Sequence, residues 1–135
     1  MLTSSVFTYG TLQIPEVMFA VTGSNFKSTP AKLNGYLRLK IKDTTYPAII
    51  KKNNCSVDGE LYRNIDQKTL ILLDQFEDIC YERLLVNVNV AEKKEKAFVY
   101  VWKNEYKNQL SDKEWSLEEF KRKYLKLYIN RISDL

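Results

Sequence analysis

Asp66-Gln67-Lys68-Thr69-Leu70-Ile71-Leu72-Leu73-Asp74-Gln75-Phe76, followed closely by Leu84-Leu85-Val86-Asn87-Val88-Asn89-Val90, decides the fold class, because the hydrophobic period changes between the two runs. In the first, Asp66 suits the N-cap of a helix that passes through Thr69, Leu70, Leu73 and Phe76. In the second, Leu84, Val86, Val88 and Val90 alternate with Leu85, Asn87 and Asn89, the period of two of a β-strand. Downstream, Ala97 to Trp102 completes a hairpin across the charged turn Glu92 to Lys96, and Ser116-Leu117-Glu118-Glu119 is a capping box. It opens a helix with the apolar stripe Phe120, Tyr124, Leu127, Tyr128 and Ile132. Upstream, Tyr46 to Ile50 and Ser56 to Tyr62 read as two strands joined by an Asn53-Asn54 turn, with Pro47 marking an edge position. Leu37, Leu39 and Ile41 alternate with Arg38, Lys40 and Lys42 as a further strand, and Gly23 to Lys32 reads as loop. Pro15 to Val21 suits a short helix with proline in its first turn, and Val6 to Tyr9 is a strand that stops at Gly10. Six strands and three helices in mixed order predict an α+β fold in a single domain over residues 1–135.

Composition narrows the chemistry. The 135 residues are 44% hydrophobic and 13% aromatic, which excludes a disordered or collagen-like polymer. Histidine is absent. Serine–histidine and cysteine–histidine nucleophile pairs, histidine-ligated zinc and imidazole proton shuttles are therefore closed to this chain acting alone. Acid–base work falls to a carboxylate, Lys, Tyr or Cys. Cys55 and Cys80 form no CxxC pair and are expected to be free thiols in a reducing cytoplasm. Met1 to Ile14 shows no secretory leader, and the apolar run Val17 to Val21 is far too short to span a bilayer, so the expectation is a soluble cytoplasmic protein without membrane partners. Lysines and arginines exceed acidic residues by 21 − 17 = +4. The basic residues are spread along the chain, and the Lys121-Arg122-Lys123 face of the last helix lacks interleaved aromatics, so nucleic acid is not expected as a partner.

Two places can carry chemistry. In Phe7-Thr8-Tyr9-Gly10-Thr11-Leu12 a glycine directly follows a strand, so the backbone can turn sharply and leave successive N–H groups free of side-chain cover. Such donors suit a carboxylate or an oxyanion, although an ordinary turn has the same sequence appearance. In Leu73-Asp74-Gln75-Phe76-Glu77-Asp78-Ile79-Cys80-Tyr81-Glu82-Arg83, a helix continued to its end sets Leu70, Leu73 and Glu77 on one face. A carboxyl on an apolar face is either paired or held partly protonated, and a raised pKa suits a general base near neutral pH. The competing reading is a helix-end Glu77 that reaches solvent or pairs with Arg83.

Together these segments resemble the gamma-glutamylcyclotransferase superfamily, in particular its gamma-glutamylamine cyclotransferase-like and plant avirulence-induced-like branch. Phe7 to Leu12 is similar to the family's Tyr-Gly-Ser/Thr-Leu loop, and Tyr46-Pro47-Ala48-Ile49 to its Tyr-Pro-Ala segment. Val57-Asp58-Gly59-Glu60-Leu61-Tyr62 resembles its Gly-Glu-Leu-Tyr strand, and Leu73 to Glu77 with Tyr81 and Arg83 its Leu-Asp-x-Phe-Glu block. Ala97 to Trp102 and Trp115 to Phe120 complete the ordered set. One departure is Asp78, where the family usually has glycine; a left-handed backbone is expected at this position, and the second carboxylate would raise the pKa of Glu77 or shift substrate preference.

The resemblance implies a mixed six-stranded β-barrel with flanking helices and a cavity between the Tyr9–Leu12 loop and Glu77. It implies conversion of a γ-glutamyl amine or peptide to 5-oxoproline and free amine, with Glu77 as general acid and base and no cofactor or metal. Tyr9, Gly10, Thr11, Leu12, Tyr81 and Arg83 are the expected substrate-binding residues, and a monomer or weak dimer the expected state. The alternative is a non-catalytic module of the same fold that binds a small carboxylate.

Overall fold

The computed structural model describes residues 2–133. Its elements run β1 (Thr3–Thr8), a 3-10 turn (Thr11–Gln13), α1 (Pro15–Thr22), β2 (Ser28–Ile41), β3 (Pro47–Asp66), α2 (Gln67–Phe76), β4 (Tyr81–Val90), β5 (Lys93–Trp102), a second 3-10 turn (Asn104–Gln109), β6 (Leu110–Glu114), α3 (Leu117–Lys123) and α4 (Leu125–Ser133). The α+β expectation holds.

The six strands form one sheet in the order β3-β1-β5-β4-β2-β6, and β2 also pairs with β3. That extra pairing bends the sheet back on itself, although one seam is thin: β2 meets β4 only at Lys32↔Asn89. The long β2–β3 ladder runs antiparallel from Ser28↔Tyr62 to Lys40↔Pro47. Val6↔Phe98 joins β1 to β5 in parallel.

Alternation along the strands sorts side chains between two cores. From β1, Val6 packs with Leu12, Val17, Met18, Tyr62, Leu70, Leu73 and Phe120 in a layer under the helices. Phe7 points the other way, into a core with Leu33, Ile49, Leu61, Val88, Val99 and Val101 inside the curved sheet. A third cluster gathers Leu39, Ile41, Ala48, Cys80, Trp102 and Leu110. Burying a large apolar side chain of this kind stabilises the fold by roughly 1.5–3 kcal/mol.

Several boundaries differ from expectation, each for a local reason. Tyr46 to Ile50 and Ser56 to Tyr62 are halves of one strand, not a hairpin. The Asn53-Asn54 segment is a bulge in β3 where the register shifts opposite Gly35, with Asn54 at φ 65° and Gly35 at φ 83°. Residues 28–32, expected as loop, are the start of β2, because their backbone groups have β3 to pair with. Strand β6 was not legible: Leu110-Ser111-Asp112-Lys113-Glu114 is polar apart from Leu110 and is held by pairing with β2. The β4–β5 turn is tighter than expected, since Lys93 already pairs with Val90 and Ala91 takes φ 54°. The last helix breaks at Tyr124, and Leu127, placed on its apolar stripe by sequence, is 69% exposed. Pro47 is the first residue of β3, and that end of the strand pairs with β2 alone, in keeping with the edge position expected for it.

Candidate active site

Two chain ends of different origin meet at one end of the sheet. The first is the end of β1. Gly10 follows Tyr9 and sits close against β3: a Cβ placed there would lie 3.0 Å from Pro47 Cγ and 3.1 Å from Pro47 Cδ. Beyond it, Gln13 N–H donates to the Gly10 carbonyl (3.2 Å) and Ile14 N–H to the Thr11 carbonyl (3.1 Å). The first N–H groups of so short a turn, those of Gly10, Thr11 and Leu12, bond no backbone carbonyl among the described residues.

This loop is held firmly. Arg38 Nη1 donates to the Tyr9 carbonyl at 2.8 Å and to the Asp58 carbonyl at 3.2 Å, and its guanidinium lies 5.3 Å from the Trp115 ring centroid. Tyr62 Oη donates to the Leu12 carbonyl at 2.8 Å. Tyr9 Oη donates to the Tyr100 carbonyl at 2.7 Å. Gly59 lets the strand under the loop approach: a Cβ there would stand 2.1 Å from the Thr8 carbonyl oxygen. Sequence alone gave no functional signal for Arg38; it reads as one polar position in an alternating strand.

The second chain end is that of α2. Asp66 caps the helix by accepting from Thr69 N–H at 2.8 Å, and Leu70 and Leu73 anchor its face in the core. The helix stops one residue earlier than a shared face with Glu77 requires. Glu77 is the C-cap, with φ −73° and ψ 144°, and its N–H donates to the Leu73 carbonyl at 3.1 Å. The extended ψ, not helical spacing, sets where the side chain goes. Asp78 does not take a positive φ, so the left-handed backbone expected there is absent.

Between these ends lies a cavity of about 480 Å³, a size ordinary for small-molecule sites. Tyr9, Gly10, Thr11, Leu12, Glu77 and Tyr81 all line it, together with Tyr46, Pro47, Asp78, Tyr100, Tyr128 and Arg131, among others. Six of the seven residues singled out from sequence are thus brought together. Arg83 is the exception: it is not among the lining residues. Its Nε pairs with Asp74 Oδ1 at 3.3 Å and its guanidinium stacks 4.5 Å from the Phe98 ring centroid. Asp74 also accepts from Tyr100 Oη at 2.6 Å, so Arg83 is linked to the cavity through Asp74 and Tyr100.

Electrostatics single out Glu77. Burial, then the neighbouring Asp78 and Asp74 carboxylates, push its pKa up to about 8. It remains half-buried in surface terms because it faces the cavity. No ion pair to Glu77 forms among the described residues, and the pairing with Arg83 considered from sequence is taken by Asp74. Burial also raises Tyr9 and Tyr81 well above their usual range, and lifts Tyr128 to about 12, so these phenols stay protonated at any working pH. Tyr81 Oη donates to the Pro47 carbonyl at 2.7 Å. Cys80 is buried and its pKa raised, first by burial and then by Asp78, the setting of an inert thiol. Among the described residues no group of three or more Cys, Asp or Glu side chains is arranged to hold a metal ion, and no helix is long and apolar enough to cross a membrane.

Sequence reasoning did not assign Tyr46, Tyr100, Tyr128 or Arg131 to the site. Tyr128 had been read as core stripe, and its i+3 neighbour Arg131 was the only available signal.

The family model described as gamma-glutamyl cyclotransferase, AIG2-like, matches residues 6–117. AIG2-like protein C of Arabidopsis thaliana is 35% identical over 119 residues, which is 87% of this chain and 69% of that protein. A solution structure of an Arabidopsis thaliana protein aligns with TM-score 0.76 at 27% identity, covering 99% of this chain and 82% of that one. A structure titled gamma-glutamyl cyclotransferase aligns with TM-score 0.69 at 17% identity, over 99% of this chain and 88% of that one, a likeness of fold.

Proposed function

The chain belongs to the gamma-glutamyl cyclotransferase, AIG2-like family, and from that premise we propose that it is a cyclotransferase that closes a γ-glutamyl amine or peptide into 5-oxoproline and releases the amine. The observation that carries this reading is a carboxyl without an ion-pair partner among the described residues, Glu77, with a pKa of about 8, sharing a cavity with backbone amides that find no carbonyl acceptor among those residues.

The reaction suits what the cavity holds. The α-nitrogen of the substrate attacks its own γ-carbonyl carbon, forming the ring C–N bond, and the bond from that carbon to the departing nitrogen breaks. Because the attack is intramolecular, holding the chain folded supplies much of the rate, and no enzyme nucleophile is needed. The α-nitrogen must first lose a proton. A carboxylate with pKa near 8 is well matched to take a proton from an α-ammonium, of pKa roughly 8, and to hand one to the leaving nitrogen. Over the cycle the α-nitrogen sheds two protons and the departing nitrogen gains two, so Glu77 ends as it began. The Gly10–Leu12 amides supply donors for the oxyanion or the substrate carboxylate, a contribution of roughly 3 kcal/mol in such sites. Tyr9 and Tyr81, with their hydroxyls already bonded to backbone carbonyls, shape and dry the walls.

The test is release of 5-oxoproline from a panel of γ-glutamyl amines and peptides. Turnover in the wild type, lost in Glu77→Gln, is the expected result; a Glu77→Gln protein as active as wild type would remove Glu77 from the mechanism.

One observation favours a second reading. With Asp78 beside it, Glu77 is mostly protonated at neutral pH, and a neutral carboxyl can donate to a ligand carboxylate without abstracting a proton. A carboxylate-binding module of this fold would then show ligand-induced thermal stabilisation with no product.

A further inference from the structure

Helix α4 forms one wall of the cavity, and it lies beyond the residues that the family model matches. Tyr128, Arg131 and Ile132 line the cavity from one helix face at i, i+3 and i+4 spacing. The wall is fixed to the loop opposite by the 3.1 Å hydrogen bond between Thr11 Oγ1 and Tyr128 Oη, and to the core by Tyr128 against Phe120, with ring centroids 5.3 Å apart. Among the described lining residues Arg131 is the one cation. It is exposed, whereas Tyr9, Thr11, Leu12 and Tyr100 are buried. The cavity therefore runs from the buried Tyr9 and Tyr100, past the half-buried Glu77, to a rim where Arg131 and the carboxylate Asp78 are both exposed.

Ring closure constrains how a substrate lies in such a cavity. The α-nitrogen and the γ-carbonyl must both sit at Glu77, so the group carried on the departing nitrogen is the part that extends toward the rim. We infer that Arg131 is a specificity-determining residue that pairs with a carboxylate on the departing amine, selecting γ-glutamyl amino acids or peptides over γ-glutamyl derivatives of uncharged amines. A guanidinium fork fits a carboxylate in bidentate fashion and repels a cationic leaving group, offsetting the attraction that Asp78 would exert on such a group at the rim. This inference rests on the cyclotransferase reading of the cavity.

γ-Glutamylglycine and γ-glutamylmethylamide differ only by the carboxylate at issue. The wild-type kcat/KM ratio is expected to favour the glycine compound about fivefold, the scale of an ion pair at a partly solvated rim. Arg131→Gln brings that ratio close to one, and Arg131→Lys retains part of it. A wild-type ratio near one overturns the inference, and so does an Arg131→Gln ratio equal to wild type, which is what loss of helix packing or of a contact to the α-carboxylate would give. Calorimetric binding of the same two compounds to Glu77→Gln, with and without Arg131→Gln, repeats the comparison without turnover. A carboxylate preference that depends on Arg131 in binding, alongside no 5-oxoproline from wild type, keeps the rim subsite and removes the proposed reaction. No such preference in binding removes the subsite whatever the turnover.

Discussion

At Glu77 the free energy of folding and the chemistry of the site oppose each other. The carboxyl is removed from bulk water with no ion-pair partner among the described residues, and two further carboxylates lie close by. Neutralising it by Glu77→Gln is expected to lower turnover by roughly 10²- to 10⁴-fold, the usual span for a lost general base. The same substitution should raise the melting temperature at pH 9 by about 3 °C or more and change it little at pH 5, where the native acid is already protonated. Scanning calorimetry at the two pH values checks this, and an equal shift at both would mean that Glu77 is not held protonated. The two cysteines provide a second test at this scale. Cys55 is half-buried and Cys80 buried, so one thiol should label in the native protein and the second only on unfolding.

At the scale of elements, the site depends on joints between strands and helix ends. At Gly59 the two strands β1 and β3 lie so close that a methyl group there would meet the Thr8 carbonyl. Gly59→Ala should cost at least about 3 kcal/mol, because a backbone atom cannot move aside as a flexible side chain can. Gly10→Ala meets only the Pro47 ring, so it should leave the protein folded, measured by its melting temperature, while reducing turnover by displacing the amides. The joint from α2 to β4 carries the Tyr100–Asp74–Arg83 chain, in which Arg83 Nη1 is buried with no hydrogen-bond partner among the described residues. Because Asp74 raises Glu77, loss of the compensating guanidinium in Arg83→Gln should move the alkaline-rising limb of kcat/KM to higher pH. Asp74→Asn should move it to lower pH. Shifts in opposite directions separate charge from mere damage to the fold.

For the whole molecule, the sign of the pH dependence of stability follows from the same group. A carboxyl whose native pKa is about 8, against an ordinary value of 4.5, binds more protons folded than unfolded between those limits. Stability therefore falls as pH rises from about 5 to 8, the reverse of the usual trend for ion-paired carboxylates. Urea midpoints measured across that range should decline, and Glu77→Gln should flatten the decline.

Much of this architecture was written locally. Asp66 and Ser116 were legible as caps because a side-chain oxygen three residues before a free N–H bonds it whatever lies elsewhere, as each does here. The Phe7–Leu12 loop and Glu77 stood out locally as a glycine after a strand and an acid at the end of an apolar helix, but an ordinary turn and a solvent-facing acid fitted the same residues, and the family resemblance rather than the pattern chose between the readings. The alternation of β4 and β5 likewise needed no partner to be seen.

What needed the whole fold was everything decided by pairing at a distance. Only the β2 ladder makes residues 47–66 one strand and turns Asn53-Asn54 into a bulge; only β2 recruits the polar β6. Arg83 was drawn to Asp74, on the neighbouring helix, and Arg38 to the Tyr9 carbonyl, by proximities that no spacing along the chain encodes. Helix α4 places Tyr128 and Arg131 on the cavity wall for the same reason. A local pattern determines a residue's own backbone and which of its faces is apolar; which charge or carbonyl meets it there is set by chain closure across dozens of residues, and that is a property of the tertiary structure alone.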